Sequence, residues 1–120
     1  KLKKLAGNDL DIYSGNDDQV IPILSLGGIG VISVLSNVRP AAVHDMVMEY
    51  LNGNIKSALD IQLKYLDLIE ALFCEVNPIP VKAAMKLLGY DVGGLRLPLT
   101  ELEDANRARL KESMEKLKEN

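Results

Sequence analysis

An α/β protein built from consecutive strand–helix units is what this sequence predicts, and three observations predict it. Gly27-Gly28-Ile29-Gly30 opens onto Val31-Ile32-Ser33-Val34-Leu35, a run too short for a helix and rich in β-branched residues, which reads as a fully buried parallel strand. Ser36-Asn37 then leaves the sheet, and Pro40 stands where the first turn of a helix needs no N–H donor. The same grammar occurs upstream. Leu10 to Tyr13 reads as a short strand, Ser14-Gly15-Asn16-Asp17-Asp18 as a turn with helix-capping residues, and Gln19 to Leu26 as the helix that follows.

The remaining elements follow from spacing. Lys1, Lys3 and Lys4 fall on the polar surface of a helix that precedes the first strand. A helix begun near Val38 ends at Asn52-Gly53-Asn54, where Gly53 supplies positive φ. Ile55, Ala58, Leu59, Leu66, Ile69, Leu72 and Phe73 recur at three- and four-residue intervals, so one amphipathic helix is expected over 55–73. Leu63 and Leu68 fall off its stripe. Pro80 starts a further helix that Gly89 closes. Leu95 to Leu99 carries Pro98 and reads as an extended linker. Thr100 with Glu103 is expected to form a capping box for the last helix. Along that helix Glu103–Arg107 and Glu112–Lys116 are i,i+4 pairs, and Leu102, Leu110, Met114 and Leu117 form a narrow apolar stripe. The chain thus divides into two strand–helix units over 1–53 and a helical region over 54–120.

Composition narrows the function classes. Of the 120 residues, 48% are hydrophobic and 26% charged, as in ordinary globular chains. A net charge of −3 without a basic block gives nucleic acid no electrostatic footing. No apolar run approaches the roughly 20 residues that cross a bilayer. Cys74 is the only cysteine, so no intrachain disulfide forms, a reducing cytoplasm is the expected setting, and the thiol reads as a buried structural one. His44 is the only histidine and has no cysteine nearby, which argues against metal ligation.

Four segments in register carry a resemblance: Tyr13 to Asp18, Gly27 to Pro40, Asn77-Pro78-Ile79-Pro80-Val81-Lys82, and Leu95 to Leu99. Together they resemble dihydrodipicolinate synthases, of the pyruvate-dependent Schiff-base aldolase superfamily. The resemblance implies a (β/α)8 TIM barrel, and such barrels need about 250 residues. This chain would then be the C-terminal part, the last two βα units followed by a C-terminal helical region. Its abrupt start inside Lys-Leu-Lys-Lys-Leu suits that reading. The imine-forming lysine of the family, its proton-relay tyrosine with a threonine partner, and a substrate-binding arginine belong to the part not present. No catalytic residue is therefore expected here, and the segment alone is expected to be inactive.

What the resemblance implies for this chain is substrate binding. Gly15 matches a glycine that offers its carbonyl oxygen near the second substrate, although a glycine demanded by the turn is an equal reading without the family. Ile32 matches a position whose main chain contacts pyruvate; from its surroundings alone it reads as a core strand residue. Asn77 borders the same site. The substrates implied are pyruvate and L-aspartate 4-semialdehyde, condensed through a lysine Schiff base in the diaminopimelate and lysine pathway. Neither a cofactor nor a metal is implied, and a homotetramer or homodimer is. A sister lyase acting on N-acetylneuraminate or keto-deoxy sugar acids is the alternative within the superfamily, and a non-enzymatic assembly module the alternative outside it.

Overall fold

A computed structural model describes residues 1–117. Its elements run α1 (Leu2–Ala6), β1 (Tyr13–Ser14), α2 (Val20–Ser25), β2 (Gly30–Val31), α3 (Pro40–Leu51), α4 (Ile55–Lys64), α5 (Leu66–Leu72), α6 (Ile79–Leu87) and α7 (Asp104–Lys116). Short 3-10 turns at Asp17–Gln19 and Leu35–Asn37 follow the two strands. The chain forms two compact units, Lys1–Lys64 and Tyr65–Asn120. The first unit therefore includes α4, beyond the break at Gly53, because α4 packs on α3 and α2.

In the first unit the strands pair in parallel, with Tyr13 opposite Gly30 and Ser14 opposite Val31. The Ser14–Val31 face meets the helices: Val20, Leu24 and Met46 form a buried cluster on which Val31, Val47, Tyr50 and Ile61 pack. The opposite face carries Tyr13 and Gly30, and the alternation of side chains puts Ile32 there too. Tyr13 is 50% exposed and Ile32 71%. Gly30 is where the tyrosine ring crosses the sheet, since a Cβ on it would lie 3.0 Å from Tyr13 Cδ1 and Cε1. Gly28 admits the approach of α2, because its Cβ would stand 2.6 Å from Ile23 Cγ2.

Both strands are shorter than expected. The predicted strand Val31–Leu35 is not fully buried and ends at Val31. Its last rung is Ile32 N–H to the Ser14 carbonyl at 2.9 Å. Beyond it the Val34 and Leu35 N–H groups donate to the Asp17 carboxylate, at 2.9 Å each, and the chain turns out of the sheet. Leu10 is an exposed bend residue, and β1 begins only at Tyr13.

The second unit packs α5, α6 and α7 on one another, burying Leu68, Ile69, Leu72, Ile79, Val81, Leu110 and Met114. The single helix expected over 55–73 is two. They part at Tyr65 because α4 buries Ala58 and Gln62 in the first unit and α5 buries Leu68, Ile69, Ala71 and Leu72 in the second. Gly53 and Gly89 do end helices, at φ 87° and 90°, and Pro40 and Pro80 lie in first turns. The Thr100–Glu103 capping box does not form. Glu103 precedes the first helical residue, and its N–H donates to Glu75 Oε1 at 3.1 Å. Glu103 is the N-cap residue, its carbonyl accepting from Arg107 N–H at 2.8 Å, and the Arg107 guanidinium pairs with Glu101 instead, at 3.8 Å. Glu112 and Lys116 do pair, at 2.9 Å. Residues 95–99 form no strand, and Leu99 N–H closes a turn on the Arg96 carbonyl at 3.0 Å.

Candidate substrate site at the strand ends

The loops that leave β1 and β2 stand side by side because parallel pairing aligns the strand ends. Gly15 directly follows β1, and Ile32 directly follows β2; the rung from Ile32 N–H to the Ser14 carbonyl joins them through the residue next to Gly15. Ser14 is 2% exposed, and its hydroxyl donates to the Asn16 carbonyl at 2.7 Å while accepting from the Asn16 N–H at 3.2 Å. This short loop pins both flanks of Gly15.

Neither local reason for a glycine applies at position 15. Its φ is not positive, unlike that of Gly7, Gly27, Gly53, Gly89 and Gly93, and a Cβ there would meet nothing within 4 Å. Within these residues the turn would accept a side chain. Ile32 is mostly exposed in this chain, on the face away from the helices. Asn77 belongs to the second unit, exposed in the turn that Ile79 N–H closes on the Val76 carbonyl, just ahead of α6.

Asp17 is the residue that sequence reasoning placed only among generic caps. It is 1% exposed. Its Oδ2 accepts from two amides of the loop after β2, and its own carbonyl accepts from Gln62 Nε2 at 2.7 Å. Gln62 Oε1 accepts from Ile21 N–H at 3.4 Å. The one signal available for Gln62 was a polar side chain four residues from Ala58, on the buried face of α4.

Other features do not compete for the site. A groove of about 730 Å³ at the α3–α4 turn is lined by Glu49, Gly53, Lys56 and Asp60 and contains neither Gly15 nor Ile32. Its charges Lys56 and Asp60 already pair at 2.7 Å. His44 is exposed and lies 3.1 Å from Asp45. Among the described residues no group of three or more His, Cys, Asp or Glu side chains could hold a metal ion, and no helix is long and apolar enough to cross a membrane. Cys74 is half-buried rather than buried; desolvation, with the Glu75 carboxylate beside it, raises its thiol above the ordinary value.

Parallel strands with helices on one face and side-by-side loops at their ends are consistent with part of an α/β barrel. Comparison with known proteins agrees. The profile of the dihydrodipicolinate synthetase family matches residues 1–117, and the chain belongs to that family. A 4-hydroxy-tetrahydrodipicolinate synthase of Lachnoclostridium phytofermentans is 57% identical over 108 residues, covering 90% of this chain and 37% of that protein. The crystal structure of dihydrodipicolinate synthase from Aquifex aeolicus superposes with a TM-score of 0.93 at 38% identity, over 98% of this chain and 40% of that one. A structure described as the first monomeric dihydrodipicolinate synthase variant gives 0.90 at 40% identity, over 98% and 39%. The chain thus spans about two fifths of the length of such relatives.

Proposed function

We propose that these residues are the C-terminal part of a 4-hydroxy-tetrahydrodipicolinate synthase, its last two βα units and the helical region that follows. A lysine outside these 120 residues condenses with pyruvate and releases water. The iminium withdraws electrons, so a methyl proton is lost and an enamine forms. The enamine carbon bonds to the aldehyde carbon of L-aspartate 4-semialdehyde. Attack by the substrate's own amine on the imine carbon then closes the ring and releases the lysine. In this reading Ile32 lies with its main chain against pyruvate and Gly15 turns its carbonyl oxygen toward the second substrate, while Asn77 is assigned to substrate binding on the family resemblance alone. The enzyme works in the cytoplasm as a homo-oligomer, and the segment alone is inactive.

The observation that carries the reading is the rung between Ile32 N–H and the Ser14 carbonyl, which holds the two matched positions at adjacent strand ends. In α/β barrels those ends are where sites are built. The freedom of Gly15 from any local demand for glycine supports a main-chain role.

Trapping with pyruvate and borohydride tests the proposal, read by intact mass and peptide mapping. The 120-residue chain alone should stay at 13.2 kDa. In the complete enzyme the adduct should map outside these residues. An adduct on Lys1, Lys3, Lys4 or any other lysine of this chain would overturn the assignment. Condensation with aspartate semialdehyde, and none with N-acetylneuraminate or keto-deoxy sugar acids, separates the synthase from its sister lyases.

A further inference from the structure

We propose that Asp17 is a positioning residue: its buried carboxylate clamps the Val34 and Leu35 amides and so fixes the loop carrying Ile32 against the loop carrying Gly15. The clamp stands on geometry, while its consequence for catalysis rests on the function proposed above. Asp17 lies two residues beyond Gly15, and Val34 two residues beyond Ile32. The two 2.9 Å bonds therefore tie the loops just past the positions where substrate is proposed to lie. Gln62 anchors the clamp to the helical layer by donating to the Asp17 carbonyl at 2.7 Å.

Val34 and Leu35 open the turn Leu35–Asn37, and the carboxylate that caps their amides comes from the other loop rather than from the turn itself. The neighbouring amide of Ser36 is served locally, by Ser33 Oγ at 2.8 Å, and a neutral hydroxyl suffices there. Asp17 instead places a whole carboxylate in the interior, 1% exposed. Burying such a group is costly. What the cost secures is a connection between two strand-end loops, 17 and 18 residues apart in sequence, that the short sheet itself does not reach.

The test uses the complete enzyme, with amide-resolved hydrogen exchange and steady-state kinetics well below the melting temperature. In Asp17→Ala, exchange at Val34 and Leu35 should accelerate by about tenfold or more, with a comparable fall in kcat/KM. Asp17→Asn keeps a carbonyl oxygen for both amides and should return both readings to within about threefold of the original. Unchanged exchange in Asp17→Ala would overturn the clamp. Faster exchange with unchanged kcat/KM would overturn the positioning role. If Asp17→Ala does not fold, Gln62→Met carries the test, since it keeps bulk and removes both anchoring bonds. Faster exchange at Leu35 with lower kcat/KM then supports the proposal, and no change in either overturns it. If the unsubstituted enzyme forms no pyruvate adduct, the functional reading fails, while exchange at Val34 and Leu35 still decides the clamp.

Discussion

A methyl group on Gly15 would meet nothing within 4 Å, whereas one on Gly28 would meet Ile23 Cγ2 at 2.6 Å and the Ile23 carbonyl oxygen at 2.9 Å. Thermal or urea melts should therefore separate the two glycines. Gly28→Ala is expected to cost about 1–3 kcal/mol through overpacking against α2. Gly15→Ala is expected to be neutral or to stabilise by up to about 1 kcal/mol, by restricting the unfolded chain. If Gly15 meets substrate through its main chain, the same substitution should raise KM for the aldehyde substrate without lowering stability. Cys74 offers a second check at this scale. Its thiol is raised by desolvation first and by Glu75 second. Alkylation at neutral pH should thus run slower than for a free thiol of ordinary value, about 8.5. The rate should climb only as pH rises through the elevated value, which a pH series of labelling rates measures.

Among elements, α7 shows how a tertiary contact replaces a local cap. Thr100 is exposed, while Glu75 Oε1 accepts from Glu103 N–H at 3.1 Å and from Asn106 Nδ2 at 2.8 Å. Glu75→Ala should destabilise by about 0.5–2 kcal/mol, the usual range for a lost cap, and Thr100→Val by less than about 0.5 kcal/mol as an ordinary surface change. Urea melts of the two variants decide between them. Near the end of the same helix the hydrogen bond from Lys116, then its charge, lowers the Glu112 carboxyl, and Glu112 raises Lys116 in return. A depressed carboxyl contributes stability above its unfolded value and loses it as pH falls through the folded one. The raised ammonium contributes below its unfolded value and loses that as pH climbs through the folded one. Both groups face solvent, so the helicity difference between the original and Glu112→Gln should be small and should fade in high salt.

At the scale of the whole molecule, a two-stranded parallel sheet is marginal by itself. Each strand here has one neighbour among the described residues, so the outer edges stay open to pairing. The face opposite the helices exposes Tyr13 and Ile32, and covering Ile32 would contribute up to about 1.5–3 kcal/mol. The 120-residue chain is therefore expected to associate, with the remainder of a barrel or with itself. Sedimentation should show species above 13.2 kDa; a folded, monodisperse monomer would contradict the expectation.

The order of strand, turn and helix, the stops at Gly53 and Gly89, the starts at Pro40 and Pro80, and the family itself were determined by the sequence alone. Each depends on backbone preferences or motifs that act within a few neighbouring residues. The tertiary structure decided where β2 stops, where the long apolar stripe splits at Tyr65, and what caps α7. It also decided that Asp17, rather than Asn16 or Asp18 beside it, is buried. Those outcomes hang on contacts between distant residues: Asp17 to Val34 across 17 positions, Glu75 to Glu103 across 28, Gln62 to Asp17 across 45. No short-range period encodes such pairs, because the partner that satisfies a buried polar group is brought to it only when the helices pack.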